Sequence, residues 1–146
     1  MKNFILENFK NYKELSSDMI MSLCDDYYDN SPFKLNLLKD KQKNAKVSDK
    51  KFYLSNGDFV VKFQYDDICE RLDIFPSKDI VNFEKILKTL NGPMVSKINI
   101  YINSGFNNLQ QELSTNYSVE LVRKDRFLND NKYEDEIVFS KLDEGR

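Results

Sequence analysis

The sequence predicts an α+β fold: a mainly antiparallel sheet of about five to six strands, N-terminal helices before it, and a helix set between strands. Three observations carry this. Apolar residues recur at spacings near three and four over residues 2–28, and at spacing two after residue 51. Residues 51–75 read as strand, turn, strand, turn, strand, with Asn56-Gly57 at the first turn. The order of elements, helices then three strands, helix, strand, short helix and two strands, is that of an α+β domain.

Taken in order, Phe4, Ile5, Phe9, Tyr12 and Leu15 form the first apolar stripe, and Ser16-Ser17-Asp18 can cap a second helix through Met19, Ile20 and Leu23. Asn30-Ser31-Pro32 ends that segment. Phe33, Leu35, Leu37 and Leu38 give a short amphipathic helix, followed by a lysine-rich loop to about Lys50. Phe59, Val61, Phe63 and Tyr65 then share one strand face. Asp66-Asp67 turns the chain, after which Ile68, Glu70, Leu72 and Ile74 lie on one side of the third strand, and Arg71 and Asp73 on the other.

Pro76-Ser77 stops the meander. Ser77 reads as the cap of a helix over 77–91 with Asp79 in its first turn, a stripe of Ile80, Phe83, Ile86, Leu87 and Leu90, and a stop at Gly92-Pro93. Alternating Ile98, Ile100 and Ile102 predict a strand over 96–103, and Phe106, Leu109 and Leu113 a helical turn or two. Strands follow at 117–127 and 133–142, joined by Asn129-Asp130-Asn131. Residues 1–146 form one domain on this reading, with a helical segment over 2–45 and a sheet-forming segment over 50–142.

Composition restricts the chemistry. The 146 residues contain 22 Lys+Arg against 24 Asp+Glu, a near balance that argues against a duplex-binding domain. Histidine is absent, which removes imidazole acid–base catalysis, Ser–His and Cys–His nucleophiles and histidine-ligated metals. Cys24 and Cys69 are too few for a Cys₄ zinc site and read as free, reduced thiols. Four glycines and no glycine-rich phosphate motif leave no expected cofactor. Asn129-Asp130-Asn131 with Glu134 and Glu136 lacks the glycine and terminal glutamate of a calcium loop, so no metal is expected either. No apolar stretch is long enough for a signal or membrane span, and the expected compartment is the cytoplasm.

What remains is carboxylates beside tyrosines. Asp25, Asp26 and Asp29 flank Tyr27-Tyr28, Asp66 and Asp67 follow Tyr65, and Glu134, Asp135 and Glu136 follow Tyr133. Such clusters mark turns and helix ends, where Asp bonds its own backbone, or an interface that pairs with arginines. The interface reading leads to a non-catalytic protein-binding module. Its most specific form is an immunity protein that covers a basic, nuclease-like toxin domain. Its candidate contacts are Tyr65, Asp66, Asp67, Glu70 and Asp73, then Glu134, Asp135 and Glu136. The alternatives are a secretion chaperone or adaptor holding an extended segment, with a homodimer through the 2–28 helix, and an enzyme that works with carboxylates. A nucleic-acid binder using the lysine stretch 34–51 ranks last, because that stretch holds no arginine.

Overall fold

Two serines start helices, one in the Ser16-Ser17-Asp18 cluster expected to cap and one, Ser31, in the segment read only as a stop. In the computed structural model, which describes residues 1–23, 29–90 and 95–142, Ser16 Oγ accepts from the Met19 amide at 3.3 Å and opens α2 (Ser17–Met21). Ser31 Oγ accepts from the Lys34 amide at 3.1 Å and opens α3 (Pro32–Gln42), with Pro32 at the first helical position. Ahead of both, α1 (Lys2–Asn8) is separated from α2 by a two-residue strand, β1 (Lys13–Glu14), that sequence periodicity does not reveal. Of the acidic cluster nearest the N-terminus, Asp25, Asp26, Tyr27 and Tyr28, together with Cys24, lie outside the described residues.

The architecture is α+β around one mostly antiparallel sheet of seven strands. The remaining strands are β2 (Lys51–Asn56), β3 (Phe59–Asp66), β4 (Arg71–Pro76), β5 (Lys97–Asn103), β6 (Ser118–Asn129) and β7 (Lys132–Leu142), in the order β1-β2-β3-β4-β5-β7-β6. All neighbours are antiparallel except β4 and β5. The chain passes from β4 to β5 over the short helix α4 (Phe83–Leu87) and a single 3₁₀ turn (Lys88–Leu90), and α5 (Asn107–Asn116) follows β5. A parallel pair needs such a crossover.

Helices lie on both faces, not one. Ile5, Phe9, Phe83, Leu87, Leu109 and Leu113 pack with Leu72, Ile74, Ile98, Ile100 and Phe139 into the main core. Leu15, Ile20, Phe33 and Leu37 pack with Tyr53, Val60 and Phe75 on the other face. Strand β3 is therefore buried from both sides over most of its length.

Two predicted elements move. The third strand begins at Arg71, not near Ile68, because Asp66 Oδ1 accepts from the amides of Ile68 (2.9 Å) and Cys69 (3.2 Å) and holds 66–70 as a turn. The helix expected over 77–91 shrinks to Phe83–Leu87 and its 3₁₀ turn. Ser77 is not its cap: the Ser77 amide donates to the Val60 carbonyl at 2.8 Å, and Ser77 Oγ accepts from the Val60 amide at 2.9 Å, so the residue extends the sheet. The expected stop, Gly92-Pro93, lies outside the described residues.

Candidate active site

Strands β4 and β5 pair over four positions, Arg71↔Lys97 to Ile74↔Ile100, and no further. Each continues alone: β4 along β3 to Pro76↔Val61, and β5 along β7 to Asn103↔Glu136. Pro76 supplies the reason. Ser77 bonds to Val60 on β3, so by the two-residue alternation Pro76 turns its backbone toward β5, where it has no N–H to donate. The strands part, and a crevice opens at their carboxyl ends, the place where parallel sheets take ligands.

On the α3 face of this pair stands Asp73, with 6% of its surface exposed. Asn99, its partner across the ladder, donates from Nδ2 to Asp73 Oδ1 at 3.1 Å, and Arg71 Nε lies 3.4 Å from the same oxygen. Burial raises the Asp73 carboxyl above the ordinary range against the pull of Arg71 and Asn99. The polar row continues across the sheet. Ser140 Oγ is hydrogen-bonded to Asn99 Oδ1 at 2.5 Å and to Glu120, which Lys97 Nζ meets at 2.6 Å. Lys97, Glu120 and Ser140 also border a 710 Å³ cavity at the other end of β5.

Next along β5 is Tyr101. Its ring stacks on Phe75 of β4 with centroids 4.6 Å apart, across the parting strands. Burial raises its hydroxyl pKa, and the charge of Asp73 adds to the shift. Beyond it, Glu136 of β7 is buried and accepts from Arg123 Nη1 at 2.5 Å.

The opposite wall is fixed by a buried ionic knot. Asp40 of α3 takes Lys62 Nζ of β3 at 2.8 Å, Lys51 Nζ of β2 at 2.7 Å and the Tyr53 hydroxyl at 2.5 Å. Burial alone would raise the Asp40 carboxyl, but these three donors hold it below its ordinary value. Lys62 Nζ also lies 5.7 Å from the Phe75 ring centre, so α3 is tied to the residue that stacks on Tyr101.

Past the carboxyl ends of β4 and β5 lies a 430 Å³ cavity whose lining includes Asp29, Asp79, Asp130 and Glu134 with Lys78 and Lys132. Two carboxylates occupy the helix starts beside it. Asp79, expected in the first turn of its own helix, instead accepts from the Asn108 (3.0 Å) and Leu109 (2.9 Å) amides at the start of α5. Glu112 of α5 accepts from the Asn82 amide at 2.5 Å, where α4 begins.

The residues singled out from sequence do not form one surface. Asp66 holds its own turn, Asp67 pairs with Lys50 at 2.7 Å, and Glu70 has a positive φ of 52° with its carbonyl accepting from the Ser96 amide. Tyr65 is buried in the main core. Asp73 is not presented outward with the turn: the sheet and its neighbours enclose it. At the far end of β5, Glu134 accepts from Asn129 Nδ2 at 2.6 Å, and Asp135 accepts from the Asp125 amide at 3.0 Å. Only Asp73 and Glu136 share the polar face beside Tyr101. Asn99 and Tyr101 alternate with the isoleucines of their strand and so read only as its other side, and Ser140 carries no sequence signal of its own. The available signal was a strand, a helix and a strand over 71–103, an order that permits a parallel pair without dictating one.

No protein family matches the sequence, and no curated protein matches it. The fold does match solved structures. The ribosomal L7/L12 α-N-protein acetyltransferase RimL, in complex with coenzyme A, is 8% identical with a TM-score of 0.55, over 92% of this chain and 94% of that one. The spermidine/spermine N-acetyltransferase SpeG from Vibrio cholerae is 10% identical with a TM-score of 0.54, over 90% and 93%. An acetyltransferase of the GNAT family from Streptococcus pneumoniae is 12% identical with a TM-score of 0.50, over 90% and 98%. At these identities the likeness is one of fold. It overturns the expectation of a non-catalytic immunity protein or toxin inhibitor, because the architecture is that of acetyltransferase enzymes. The chaperone or adaptor reading gives way for the same reason. No helix among the described residues is long and apolar enough to cross a membrane.

Proposed function

We propose that this chain is an acyltransferase that moves an acyl group from a thioester to an amine, with Asp73 accepting the amine's proton. The observation that carries the reading is a buried carboxylate of raised pKa beside the point where the parallel pair parts. The fold, shared with acetyltransferases, supports it, as does a histidine-free sequence rich in carboxylates that can act as bases.

The chemistry follows from the groups present. Amine nitrogen bonds to the thioester carbonyl carbon, the carbon–sulfur bond breaks, and the proton that nitrogen gives up passes to Asp73. A carboxylate whose pKa is raised is the better base, and general-base assistance supplies about 10²–10⁴-fold. Asn99 and Arg71 hold the carboxylate in place. Tyr101, protonated across the neutral range, is a hydrogen-bond donor for the leaving sulfur. The acid-lined mouth favours a cationic amine as the acceptor.

Coenzyme A, the ligand of the RimL structure, offers a test of fit. Its thioester arm is a neutral chain suited to a narrow crevice. Its diphosphate is not matched: among the described residues the mouth carries four acidic residues against two lysines, and Glu112 and Asp79 hold the helix starts that an anion would use. No step is therefore assigned to that group.

The exposed thiol of Cys69 is free, in keeping with the cytoplasm as the compartment we infer. The decisive assay is amine-dependent release of free thiol from S-acetyl-pantetheine and from acetyl-coenzyme A. Spermidine, a peptide N-terminus and a lysine peptide serve as acceptors. Release that needs an amine and disappears in Asp73→Asn supports the reading. No release with any pair of donor and acceptor ends it.

A further inference from the structure

Resting on that reading, we infer that the acyl donor is recognised by its neutral thiol arm alone, and that the crevice rejects a nucleotide diphosphate. The class of donor is thus an acyl thioester of an uncharged aminothiol chain, whatever lies beyond that chain staying outside the crevice.

Three observations lead there. Anions at the carboxyl ends of parallel strands are held by free backbone amides at a helix start, commonly with glycine to let the backbone come close. Here residues 77–82 contain no glycine, and the helix they lead into has five residues. The amides at both helix starts already face carboxylates of the chain itself. Asn82 is bonded to Glu112, and Asn108 and Leu109 to Asp79. A diphosphate would have to displace one acid and lie beside the other. Further, Glu112 Oε2 is buried with no hydrogen-bond partner among the described residues, which leaves its negative charge uncompensated beside the start of α4. Among the described residues the cations at the mouth are Lys78 and Lys132, and its carboxylates outnumber them.

None of this opposes a neutral arm. Past Ile74 and Ile100 the two strands no longer pair. An extended amide chain can lie between their edges, bonded to backbone groups that neither strand satisfies for the other.

The experiment is equilibrium binding by calorimetry of pantetheine and of coenzyme A to the whole chain, at low and high salt. The expected result is that coenzyme A binds about tenfold more weakly than pantetheine at about 50 mM salt, and that the gap narrows toward about 500 mM as the carboxylates are screened. The paired replacement Asp79→Asn with Glu112→Gln is expected to improve coenzyme A by about tenfold while leaving pantetheine unchanged, because only the phosphates sense those charges. Coenzyme A binding about tenfold or more tighter than pantetheine to the unaltered chain, with the advantage lost in salt, overturns this inference and leaves acyl transfer standing. Binding of neither compound overturns both.

Discussion

Asp79 and Glu112 serve each other's helices. The carboxylate of Asp79, in the loop leading to α4, takes the amides of Asn108 and Leu109 at the start of α5, and the carboxylate of Glu112, on α5, takes the amide of Asn82 at the start of α4. The residue before α5, Phe106, has no side chain able to cap it, so the cap comes from another segment.

This exchange predicts a stability effect separate from any ligand. Asp79→Ala removes the acceptor for two amides and is expected to cost about 1–2 kcal/mol, as loss of a helix cap does. Glu112→Ala is expected to cost less, since it serves one amide. Because the two bonds clasp the same pair of segments, the double variant should lose less than the sum of the singles. Urea denaturation of the four proteins reads the coupling, and strict additivity would falsify the clasp.

Asp73 separates activity from stability. Its raised carboxyl means that the folded state holds the proton more tightly than the unfolded chain does. The ionised form therefore weakens the fold. That cost is absent below the unfolded pKa and grows as pH rises to the folded value. Asp73→Asn is expected to lower amine-dependent thiol release by about 100-fold or more. The same variant should keep or raise the melting temperature. Loss of activity together with a fall in melting temperature would point to a structural role instead. The activity of the unaltered chain should rise with pH through the raised pKa.

The knot at Asp40 behaves in the opposite way. Its carboxyl is held below its ordinary value of 3.8, so the stability it contributes is fully present above that pH and is lost as pH falls through the lower folded value. Asp40→Ala leaves Lys62, 2% exposed, without its counter-charge, and is expected to cost about 3–5 kcal/mol. Lys62→Met should cost less, because Asp40 keeps Lys51 and Tyr53. Equal losses in urea titrations of the two variants would show that the pair does not share its charge as the distances imply.

The sheet was legible in the sequence where one face meets water or a turn has its own chemistry: Asn56-Gly57, the alternation of 97–103, and the strands near 118–142. It was not legible where a residue had two good partners. Ser77 can cap a helix or continue a strand, and only the position of Val60 decides. The apolar stripe Phe83, Leu87 and Leu90 is buried as periodicity predicts, yet it spans little more than two turns because the preceding residues belong to the crevice. The site was legible only in part. Asp73 stood out as one acid among many, but convergence with Asn99 and Tyr101 depends on a parallel pairing that local sequence does not encode.

Gly105 marks a close approach of the backbone to the Glu134 carboxylate. It sits between β5 and α5 at the rim of the mouth, its amide donating to Asn103 Oδ1 at 2.9 Å. A Cβ built there would collide with the Glu134 carboxylate and lie 3.0 Å from Glu134 Cδ. Glu134 is flexible at that end, so it can move, but moving breaks its bond to Asn129 Nδ2 at 2.6 Å. Asn129 in turn holds Asn30 ahead of α3, through the Asn30 amide at 2.6 Å. Gly105→Ala is therefore expected to cost about 1 kcal/mol, the worth of one displaced hydrogen bond. Adding Glu134→Ala removes the collision, so the second change should cost less in the Gly105→Ala background than alone. Thermal unfolding of the four proteins tests this. If Glu134→Ala costs the same in both backgrounds, the carboxylate does not rest on Gly105 in solution, and the acid lining of the mouth is more mobile than its bonds to Asn129 suggest.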